Sequence, residues 1–571
     1  DLRMSRGLGD VYKRQEMINN AENFNEGDTV TTSGYFNKND GYGFTYSVSK
    51  NKKTFGIKIS ENYYAVPVFT KDQAKAGIPI ECFGVVDAEN NELRHPDFNA
   101  ASNNNGSLLS EFFNAIGSNN VKLLFGLKTY SLKSALYIKD RVIWRGKFFK
   151  ANNKVTTIEL SDEALKKTNN INPYIICFAG NTYINNITFN WNTKNCGFTE
   201  TTVNDITYKS VPCAVKITNS LVDGVSVGRY HTWDKCDVIV TPDLSEAQTT
   251  DESNNEIRAG AVFFDFKAVA DYVKLSNCSF TNKTLYGSLR QVGDKEEESS
   301  TALLFLKGDI DYVGLSNCVF TRNHRSDMVT IWSNTLPNDT DLCKEKIKHI
   351  NIQGCTWNVY NDTYDGGGVL AFGNNTVKNI FGKIDVKDCK FNIGKNKDEH
   401  NSGDHCKCQE IISCASSNTT VNFVNCQVNK FEYDVKISND SEETVGNYTY
   451  LYIPRTDVEN VTLTFSGCTF NNVDFNNLNS WQNRDQVLTH KFIFTDNCCF
   501  NIRKHLFTQE KKDGEEQVKY CTLYLAINTV MQNCSLINAM KTEENTKTCI
   551  YIKKATDFVN SIDDDIKFLK S

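Results

Sequence analysis

One short phrase recurs eight times along the chain and constrains the fold more than any other feature. Each copy has two apolar residues at alternate positions, two small or polar residues, a cysteine, any residue and usually an aromatic, as in VKLSNCSF around Cys278. Subtracting neighbouring cysteine numbers gives spacings of 30 to 42 residues. Such a period is typical of solenoids, in which each unit buries its apolar face only against its neighbours. The later copies centre on Cys318, Cys355, Cys389, Cys426, Cys468, Cys498 and Cys534.

A second apolar run precedes each copy of the phrase, for example at 302–308 and 368–372. Both kinds of run are short, alternating and rich in β-branched and aromatic residues, which favours strands over helices. Turns rich in Asn, Asp and Gly separate the two runs, as at 307–312. We therefore predict strand, tight turn, strand and long loop in each repeat, and roughly ten to twelve stacked coils. The runs at 522–527 and 549–555 are expected to be strands of the last coils.

The alternation within the phrase predicts which side chains enter the core. Val273 and Leu275 should point inward and Lys274 outward, because successive residues of a strand face opposite sides. The aromatic residue after the cysteine should stack on its counterparts in neighbouring coils. These aromatic residues are Phe280, Phe320, Trp357 and Phe391.

The chain has 20 cysteines, a number that in a small secreted protein would indicate disulfides. Here seven or eight of them occupy one repeat position. Equivalent positions of a solenoid lie above one another, so we predict a ladder of reduced, buried thiols that pack as small apolar groups.

Bulk properties exclude some classes of partner. The formal net charge of −6 argues against nucleic acid, which requires clustered cations. No apolar run approaches the roughly 20 residues of a membrane-spanning helix. Residues 1–15 resemble a translated sequencing adapter at the edge of a metagenomic contig, and we expect them to be a non-native scar. Residues 16–100 form an N-terminal adaptor region, and a capping helix is predicted over about 103–117.

The N-terminal region opens with a segment rich in glycine, threonine and tyrosine. The segment carries Gly27, Asp28, Val30, Thr32, Gly34, Tyr35, Asp40, Gly41, Gly43 and Tyr46. A Phe83-Gly84-Val85 motif and the predicted helix follow it. This order of motifs resembles that of pectate-lyase-like β-helix proteins of the phage tailspike and pectate lyase superfamily type. The resemblance implies an all-β, right-handed, single-stranded parallel β-helix over 101–571, with an N-terminal adaptor and a capping helix.

The same resemblance implies a polysaccharide partner, a homotrimer, and an extracellular location on a virion tail or a bacterial cell surface. The leading hypothesis is a phage or prophage tailspike-like protein that recognises a polysaccharide and, in one version, depolymerises it. A secreted bacterial polysaccharide lyase or glycoside hydrolase is the first alternative. A non-catalytic adhesin or structural β-helix is the second, because the fold alone does not decide between binding and cleavage.

Candidate site residues lie where the repeats differ. The loops after Cys318 and Cys355 are dense in ionisable groups, which suit acid–base chemistry on a glycan. The alternative to a catalytic role is that these are ordinary solvent-exposed polar loops. Catalytic candidates are Asp327, Asp362, Asp365 and His324. Carbohydrate-binding candidates are Arg322, Arg325 and Tyr364, together with Tyr230, His231 and Trp233, whose rings could stack on sugars or pack beneath loops.

A third loop, at 397–410, has His and Cys at short spacing, which can ligate zinc, although the spacing matches no established zinc motif. We expect no cofactor, unless the chain is a lyase that uses calcium. The weak metal candidates are His400, Asp404, His405, Cys406 and Cys408.

Overall fold

Two compact units, Asp1–Ser253 and Asn254–Ser571, make up the chain. The computed structural model describes residues 12–52, 55–87, 89–99, 104–149, 154–161, 174–192, 199–203, 206–210, 213–219, 221–222, 225–226, 228–241, 260–264, 268–282, 303–306, 309–322, 328–331, 347–359, 368–373, 381–393, 410–430, 450–452, 458–471, 473, 489–502, 506–509, 518–525, 529–538 and 546–552.

The first unit opens with a five-stranded N-terminal sheet. Asp40 organises its main turn, because its carboxylate accepts the backbone N–H groups of Tyr35, Phe36, Asn37 and Tyr42 at 2.7 to 3.1 Å. One strand lies within the expected scar 1–15 and pairs in parallel with the strand from Thr29 to Gly34. In spatial order the strands are Tyr12–Lys13, Thr29–Gly34, Thr45–Ser49, Tyr64–Pro67 and Ile57–Lys58.

A helix seals the apolar end of the first coils. The helix predicted over about 103–117 spans Asn105–Ser118, and its Phe112 and Phe113 side chains are buried. Phe112 packs on Phe83 and Phe113 on Trp144, with ring centroids 5.6 and 5.0 Å apart. No helix in the described part of the chain is long and apolar enough to cross a membrane. The other α-helices of the described residues are Arg14–Asn19 and Lys71–Ala76, and 3₁₀ turns lie at Ala21–Asn23 and Ile80–Phe83.

The coils of the first unit place their strands in three sheets, which we name A, B and C in chain order within a coil. Strands pair in parallel with the same sheet of the next coil, for example Val142–Arg145 with Thr182–Asn185. Sheet A has Leu136–Ile138, Ile176–Phe178 and Cys213–Ile217; sheet B has Ile78–Pro79, Leu123–Leu124, Val142–Arg145, Thr182–Asn185 and Tyr230–Asp234; sheet C has Phe148–Phe149, Thr129–Leu132, Lys154–Leu160, Ile187–Asn192 and Asp237–Thr241. Two hairpins project from these coils, Thr199–Val203 with Ile206–Ser210 and Leu221–Val222 with Val225–Ser226.

The second unit contains the cysteine phrases and repeats the same three sheets. Sheet A comprises Gly260–Phe264, Leu304–Leu306, Val329–Ile331, Leu370–Phe372, Glu410–Cys414 and Tyr450–Tyr452. Sheet B comprises Val269–Ser276, Asp309–Ser316, Ile347–Gln353, Phe381–Lys387, Thr420–Val424, Thr462–Ser466, Lys491–Thr495 and Thr529–Met531. Sheet C comprises Ser279–Asn282, Val319–Arg322, Thr356–Val359, Lys390–Ile393, Gln427–Lys430, Thr469–Asn471, Cys499–Ile502 and Ser535–Asn538. The all-β, right-handed parallel β-helix predicted from the sequence is confirmed.

Each coil has three strands where the sequence predicted two, because the phrase itself contains a corner. The residue before the cysteine adopts a left-handed backbone, with φ of 54° at Asn277 and 64° at Gly354. Asn, Asp and Gly tolerate this conformation best, which explains why only these three types precede the eight cysteines. The chain turns there from sheet B into sheet C. The other corner residues are Asn317, Asp388, Asn425, Gly467, Asn497 and Asn533.

The predicted core ladders are present. Cys278 to Cys498 are buried free thiols, and Cys534 is a half-buried one. The rings of Phe280, Phe320, Trp357 and Phe391 stack in sequence, with centroids 5.1, 5.4 and 4.5 Å apart. These inward columns bury the apolar surface that holds neighbouring coils together.

Two boundaries differ from the predictions. Sheet B already begins with Ile78–Pro79, which pairs with Leu123–Leu124, so the coils start before residue 101. At the other end, the runs expected as coil strands at 522–527 and 549–555 form a separate three-stranded sheet. There Val518–Leu525 pairs antiparallel with Leu506–Gln509 and parallel with Thr546–Ile552. Short-range hairpin pairing takes the place of stacking on the preceding coil.

Candidate functional site

The outer face of sheet B in the second unit carries two aligned rows of aromatic and ionisable side chains. The first row lies six residues before the ladder cysteines and contains Tyr272, Tyr312, His349 and Lys383, which are register partners in adjacent strands. The second row lies four residues before them and contains Lys274, Gly314, Asn351, Asp385 and Asn422. We call these nine residues the outer strip. Adjacent strands lie about 4.8 Å apart, so each row presents a group at nearly regular steps.

Strand alternation explains why these side chains face outward. The residues between the two rows, such as Val273 and Ile350, are buried in the core. The residues directly before and after each of them along the strand must then point to the opposite face. The strip is therefore a consequence of the same pattern that builds the core.

The aromatic part of the strip is held by contacts among its own residues. The rings of Tyr312 and His349 meet edge to face, with centroids 5.5 Å apart. The Lys274 ammonium lies 4.5 Å from the Tyr272 ring centroid and 5.8 Å from that of Tyr312. These contacts restrict the rings, and a restricted ring loses less entropy when a flat ligand stacks on it.

Gly314 makes room for the Tyr312 ring. A Cβ atom at residue 314 would lie 2.9 Å from the Tyr312 ring carbon Cε1 and 3.1 Å from the hydroxyl oxygen. The ring therefore folds over the glycine and lies against the sheet. The ring thus covers the second-row position between Lys274 and Asn351.

Asp385 is the electrostatic centre of the strip. Its side chain is 7 % exposed and its Oδ2 atom lies 2.7 Å from Lys383 Nζ. Asn422 Nδ2 donates to Oδ1 at 3.4 Å. Burial by itself would raise the pKa of Asp385, but the hydrogen bond and charge of Lys383, together with the Asn422 amide, hold that pKa below its ordinary value. The carboxylate is therefore ionised at neutral pH.

His349 couples the two rows. Its Nε2 atom lies 3.5 Å from Asp385 Oδ2, while the side chain as a whole is 40 % exposed. The two atoms make no hydrogen bond, and Nε2 has no hydrogen-bond partner among the described residues. The exposed part of the ring can contact a ligand on the face of the sheet.

Most predicted catalytic and binding residues lie outside the described residues. This holds for His324, Arg325 and Asp327, for Asp362, Tyr364 and Asp365, and for the metal candidates His400, Asp404, His405, Cys406 and Cys408. The described residues contain no group of three or more His, Cys, Asp or Glu side chains that could hold a metal ion. Their roles, and that of calcium, stay predictions.

Arg322 is described and its predicted contact with carbohydrate needs correction. It ends the sheet C strand Val319–Arg322, and its side chain is 1 % exposed. The reason is alternation: Phe320 points into the core, and Arg322 follows it on the same face. A side chain in that position does not reach a ligand on the surface.

The same correction applies to His231 and Trp233, which point inward from the strand Tyr230–Asp234 and are each 1 % exposed. Trp233 Nε1 donates to Thr182 Oγ1 at 2.9 Å, and His231 Nδ1 lies 3.0 Å from the same oxygen. Burial lowers the pKa of His231 to about 4, so the imidazole is neutral. Tyr230, which is half-buried, is the member of this group with exposed surface.

The outer strip was not predicted from the sequence, because the candidate site residues were sought in the loops that vary between repeats. The signal was present: when the phrases are aligned on their cysteines, the sixth residue upstream is Tyr, Tyr, His and Lys in the first four copies. Outward positions of a strand are expected to vary freely, so a run of large aromatic and basic residues there is informative.

No known family profile matches the chain, and no curated protein sequence matches it. Among solved structures, an enzymatically active domain of bacteriophage CBA120 tailspike protein 4 is 11 % identical over 95 % of this chain and 56 % of its own, with a TM-score of 0.39. The tailspike protein of Acinetobacter phage vB_ApiP_P1 is 11 % identical, covering 98 % and 76 %, with a TM-score of 0.36.

Tailspike protein gp49 of Acinetobacter baumannii bacteriophage Fri1, described as a capsular polysaccharide depolymerase, is 10 % identical, covering 86 % of this chain and 74 % of its own, with a TM-score of 0.36. The chain thus spans little more than half of the CBA120 domain and about three quarters of the other two proteins. These are proteins to which the chain is similar.

Proposed function

We propose that this chain is a tailspike-like protein that recognises an extracellular polysaccharide along the outer strip. The observation that carries the proposal is the first row itself: Tyr272, Tyr312, His349 and Lys383 stand on four consecutive coils of one exposed face. Aromatic faces stack on the apolar faces of sugar rings, and neighbouring polar groups bind hydroxyl or carboxylate groups. A linear array of such groups suits a linear polymer.

Binding of the full-length chain to a panel of purified bacterial capsular and extracellular polysaccharides tests this. Tyr312→Ala should weaken binding of the recognised glycan roughly tenfold, about 1.4 kcal/mol, because a stacking face is lost. Tyr137→Ala removes an exposed tyrosine of the first unit and serves as the matched control. If both variants bind like the original chain, the outer strip is not the recognition surface.

Cleavage of the glycan is a second candidate, favoured by the pair formed by His349 and Asp385. An imidazole close to an ionised carboxylate is a candidate base for proton abstraction. Retaining and inverting hydrolases instead use two carboxyl groups, and Asp385 is the single carboxylate of the strip. We therefore infer that cleavage on this strip would be β-elimination from a uronate sugar. His349 takes the proton from the carbon that bears the carboxylate, a double bond forms to the neighbouring carbon, and the bond from that carbon to the glycosidic oxygen breaks. The leaving sugar oxygen takes a proton from water.

Product analysis separates these outcomes. An eliminase yields an unsaturated sugar with ultraviolet absorbance, whereas a hydrolase yields saturated reducing ends. His349→Ala should abolish product formation and leave glycan binding within about twofold. Chelation of calcium before the assay tests whether the lyase requires the ion. Binding without any product supports a non-catalytic adhesin or receptor-binding role.

A location on a virion tail and a homotrimeric state belong to the same proposal. Their support is the resemblance of the N-terminal motifs to tailspike-type proteins. Mass measurement of the native particle in solution tests the trimer. Genes for tail proteins next to this one favour a phage origin, whereas genes for sugar uptake favour the alternative of a secreted bacterial enzyme.

A further inference from the structure

A basic pocket lies in the first unit, well away in sequence from the outer strip. It has a volume of about 610 Å³ and lies between the helix Lys71–Ala76, the carboxyl end of the helix Asn105–Ser118 and sheet B. Four cationic side chains line it, and no carboxylate is part of its lining. The lining comprises Phe69, Thr70, Lys71, Ala74, Lys75, Asn119, Asn120, Lys122, Arg141 and Ile143.

The charge of this pocket contrasts with that of the chain, whose formal net charge is −6. Within the described residues, Lys71, Lys75 and Lys122 have no carboxylate within ion-pair distance. Asp140, which lies beside Arg141 in sequence, accepts a hydrogen bond from Ser118 Oγ at 2.9 Å. Converging cations without a counter-ion create a positive potential that is focused in a concave site.

Hydrogen bonds anchor the backbone from which the positive groups of the pocket extend. Lys122 donates its N–H to Ala74 O, and its carbonyl accepts from Ile78 N, both at 2.9 Å. Thr70 and Gln73 close the start of the short helix with a reciprocal pair of hydrogen bonds of 3.2 and 2.8 Å. A ligand therefore meets a preformed backbone, from which the exposed side chains of Lys71 and Lys75 project.

Arg141 is oriented by two contacts. Its Nη1 donates to Asn120 Oδ1 at 2.9 Å, and its guanidinium lies 5.1 Å from the centroid of the Tyr183 ring. A planar guanidinium fixed in this way presents its remaining donors in a fork that matches a carboxylate or a phosphate.

Apolar and amide groups complete the lining. Phe69 and Ile143 supply apolar surface, and Asn119 and Asn120 supply amide groups at the rim. A site for a bare inorganic anion has no use for an aromatic face. Apolar surface beside amides and cations suits a sugar ring that carries a charged group, and the volume falls within the usual range of about 300 to 1,000 Å³ for small-ligand sites.

We propose that this basic pocket is a second saccharide site, specific for a sugar that carries a carboxylate. In this reading Arg141 and Lys122 bind the carboxylate, Lys71 and Lys75 attract the acidic chain, and Phe69 packs on a ring face. The inference deepens the proposed function, since it names an acidic polysaccharide as the polymer and adds a binding site separate in sequence from the outer strip.

Calorimetric titration of the full-length chain with short uronate-containing oligosaccharides, galacturonate and glucuronate types, tests the pocket. The original chain should bind two probes per chain, and the double variant Lys71→Glu/Lys75→Glu should bind one. Both lysines are exposed, so the fold should tolerate the change. Lys58→Glu/Lys139→Glu reverses two exposed charges of the same unit outside the pocket and should keep both sites.

The affinity of the pocket should fall roughly tenfold or more in the double variant, and more steeply with salt than that of the strip. Tyr312→Ala should instead remove the other probe, so failure of the strip and failure of the pocket give different results. A Lys71→Glu/Lys75→Glu variant with unchanged stoichiometry and affinity overturns the pocket site. Two further results would overturn the saccharide assignment. One is complete displacement of the oligosaccharide by inorganic phosphate at equal concentration, and the other is the absence of binding of any uronate probe to the original chain.

Discussion

At the scale of single residues, the corner before each ladder cysteine shows how strongly one backbone angle constrains the repeat. Eight corners require a left-handed residue, and a β-branched residue there would be strained by about 1 to 2 kcal/mol. The corner turns the chain so that the next residue, the cysteine, points into the core. Asn, Asp and Gly are thus selected by conformation, and Cys by its small apolar volume.

Gly314 is the residue whose replacement tests the outer strip most directly. Gly314→Ala should push the Tyr312 ring off the sheet, because the added Cβ would lie 2.9 Å from that ring. We expect glycan affinity to fall roughly three- to tenfold while thermal stability changes little. Ser316→Ala, on the same strand and face but outside the outer strip, leaves the ring in place and serves as the control in the same titration. Equal losses in both variants would contradict the role given to the ring position.

His231 should make the first unit sensitive to acid. Its pKa of about 4 in the folded chain lies below the unfolded value of 6.5, so the unfolded state binds more protons between these values. Stability is therefore complete above about pH 6.5 and decreases as the pH falls towards 4, by about 2 kcal/mol at pH 5. Denaturant unfolding should show that His231→Gln has a flatter pH dependence than the original chain. Thr232→Val, on the other face of the same strand, changes no titratable group and should keep the original slope. Identical slopes in all three proteins would refute the assignment.

At the scale of elements, hydrogen-bonded ladders tie the sheets together on their outer faces. On sheet C, each asparagine amide donates to the side-chain oxygen of the asparagine one coil before it, at 2.6 to 2.9 Å. Five half-buried side chains take part. The hydrogen bonds of the ladder fix the register between neighbouring coils more specifically than the apolar columns could alone. Its members are Asn358, Asn392, Asn429, Asn471 and Asn501.

Asn429→Val should break this ladder at its centre. Two hydrogen bonds are lost, and the amide and oxygen of the neighbouring asparagines lose their partner. The expected cost is about 1 to 2 kcal/mol in the free energy of unfolding of the second unit, measured by chemical denaturation. Gln427→Val lies on the same strand and face and makes no side-chain hydrogen bond with the described residues, so it should cost less than about 0.5 kcal/mol. If Gln427→Val lowered the free energy of unfolding more than Asn429→Val does, the ladder would not be stabilising.

The cysteine ladder should be chemically inert in the folded chain. Cys355 is fully buried, and a thiol reacts only as an exposed thiolate. Alkylation followed by peptide mass spectrometry should label Cys355 and Cys389 slowly in the native chain and rapidly in denaturant. Cys534, which is half-buried and whose pKa is raised by burial to about 11, should react faster than Cys355. Rapid native labelling of Cys355, or its recovery in a disulfide, would contradict a reduced packing ladder.

At the scale of the whole molecule, the coils of the first unit enclose an apolar interior that needs a cover where these coils begin. The helix Asn105–Ser118 supplies that cover in the first unit. Phe112 and Phe113 place their rings against Phe83 and Trp144, and so extend the aromatic column of the coils. Solenoids whose ends lack such caps associate through their exposed strands and core.

Phe112→Ala should therefore affect both stability and solubility. The ring is fully buried, and its loss should cost about 3 to 5 kcal/mol in the free energy of unfolding of the first unit. We also expect concentration-dependent association below the unfolding temperature, measured by light scattering with a thermal ramp. Glu111→Ala, the exposed neighbour on the same helix, should change neither property. A monomeric, fully stable Phe112→Ala variant would show that the helix is not needed as a cap.

Particular residues show how far the sequence alone could lead. Periodic cysteines, alternating apolar residues and the Phe280–Phe391 ring column predict stacking, because a repeat can bury its apolar face only on its copies. The inward direction of Arg322, His231 and Trp233 could have followed from the same alternation. Residue type had suggested a surface role, but the direction of a strand side chain is decided by its parity along the strand.

The sequence by itself determined the solenoid, its repeat length, the core columns and the capping helix. These features depend on local periodicity and on the stacking of equivalent residues from neighbouring repeats. Only the tertiary structure decided which polar residues come together. The pairing of His349 with Asp385 joins residues 36 positions apart in different coils, and the basic pocket draws on segments that are separate in the chain. Such contacts depend on register between strands and on the path of each loop, which no local pattern encodes.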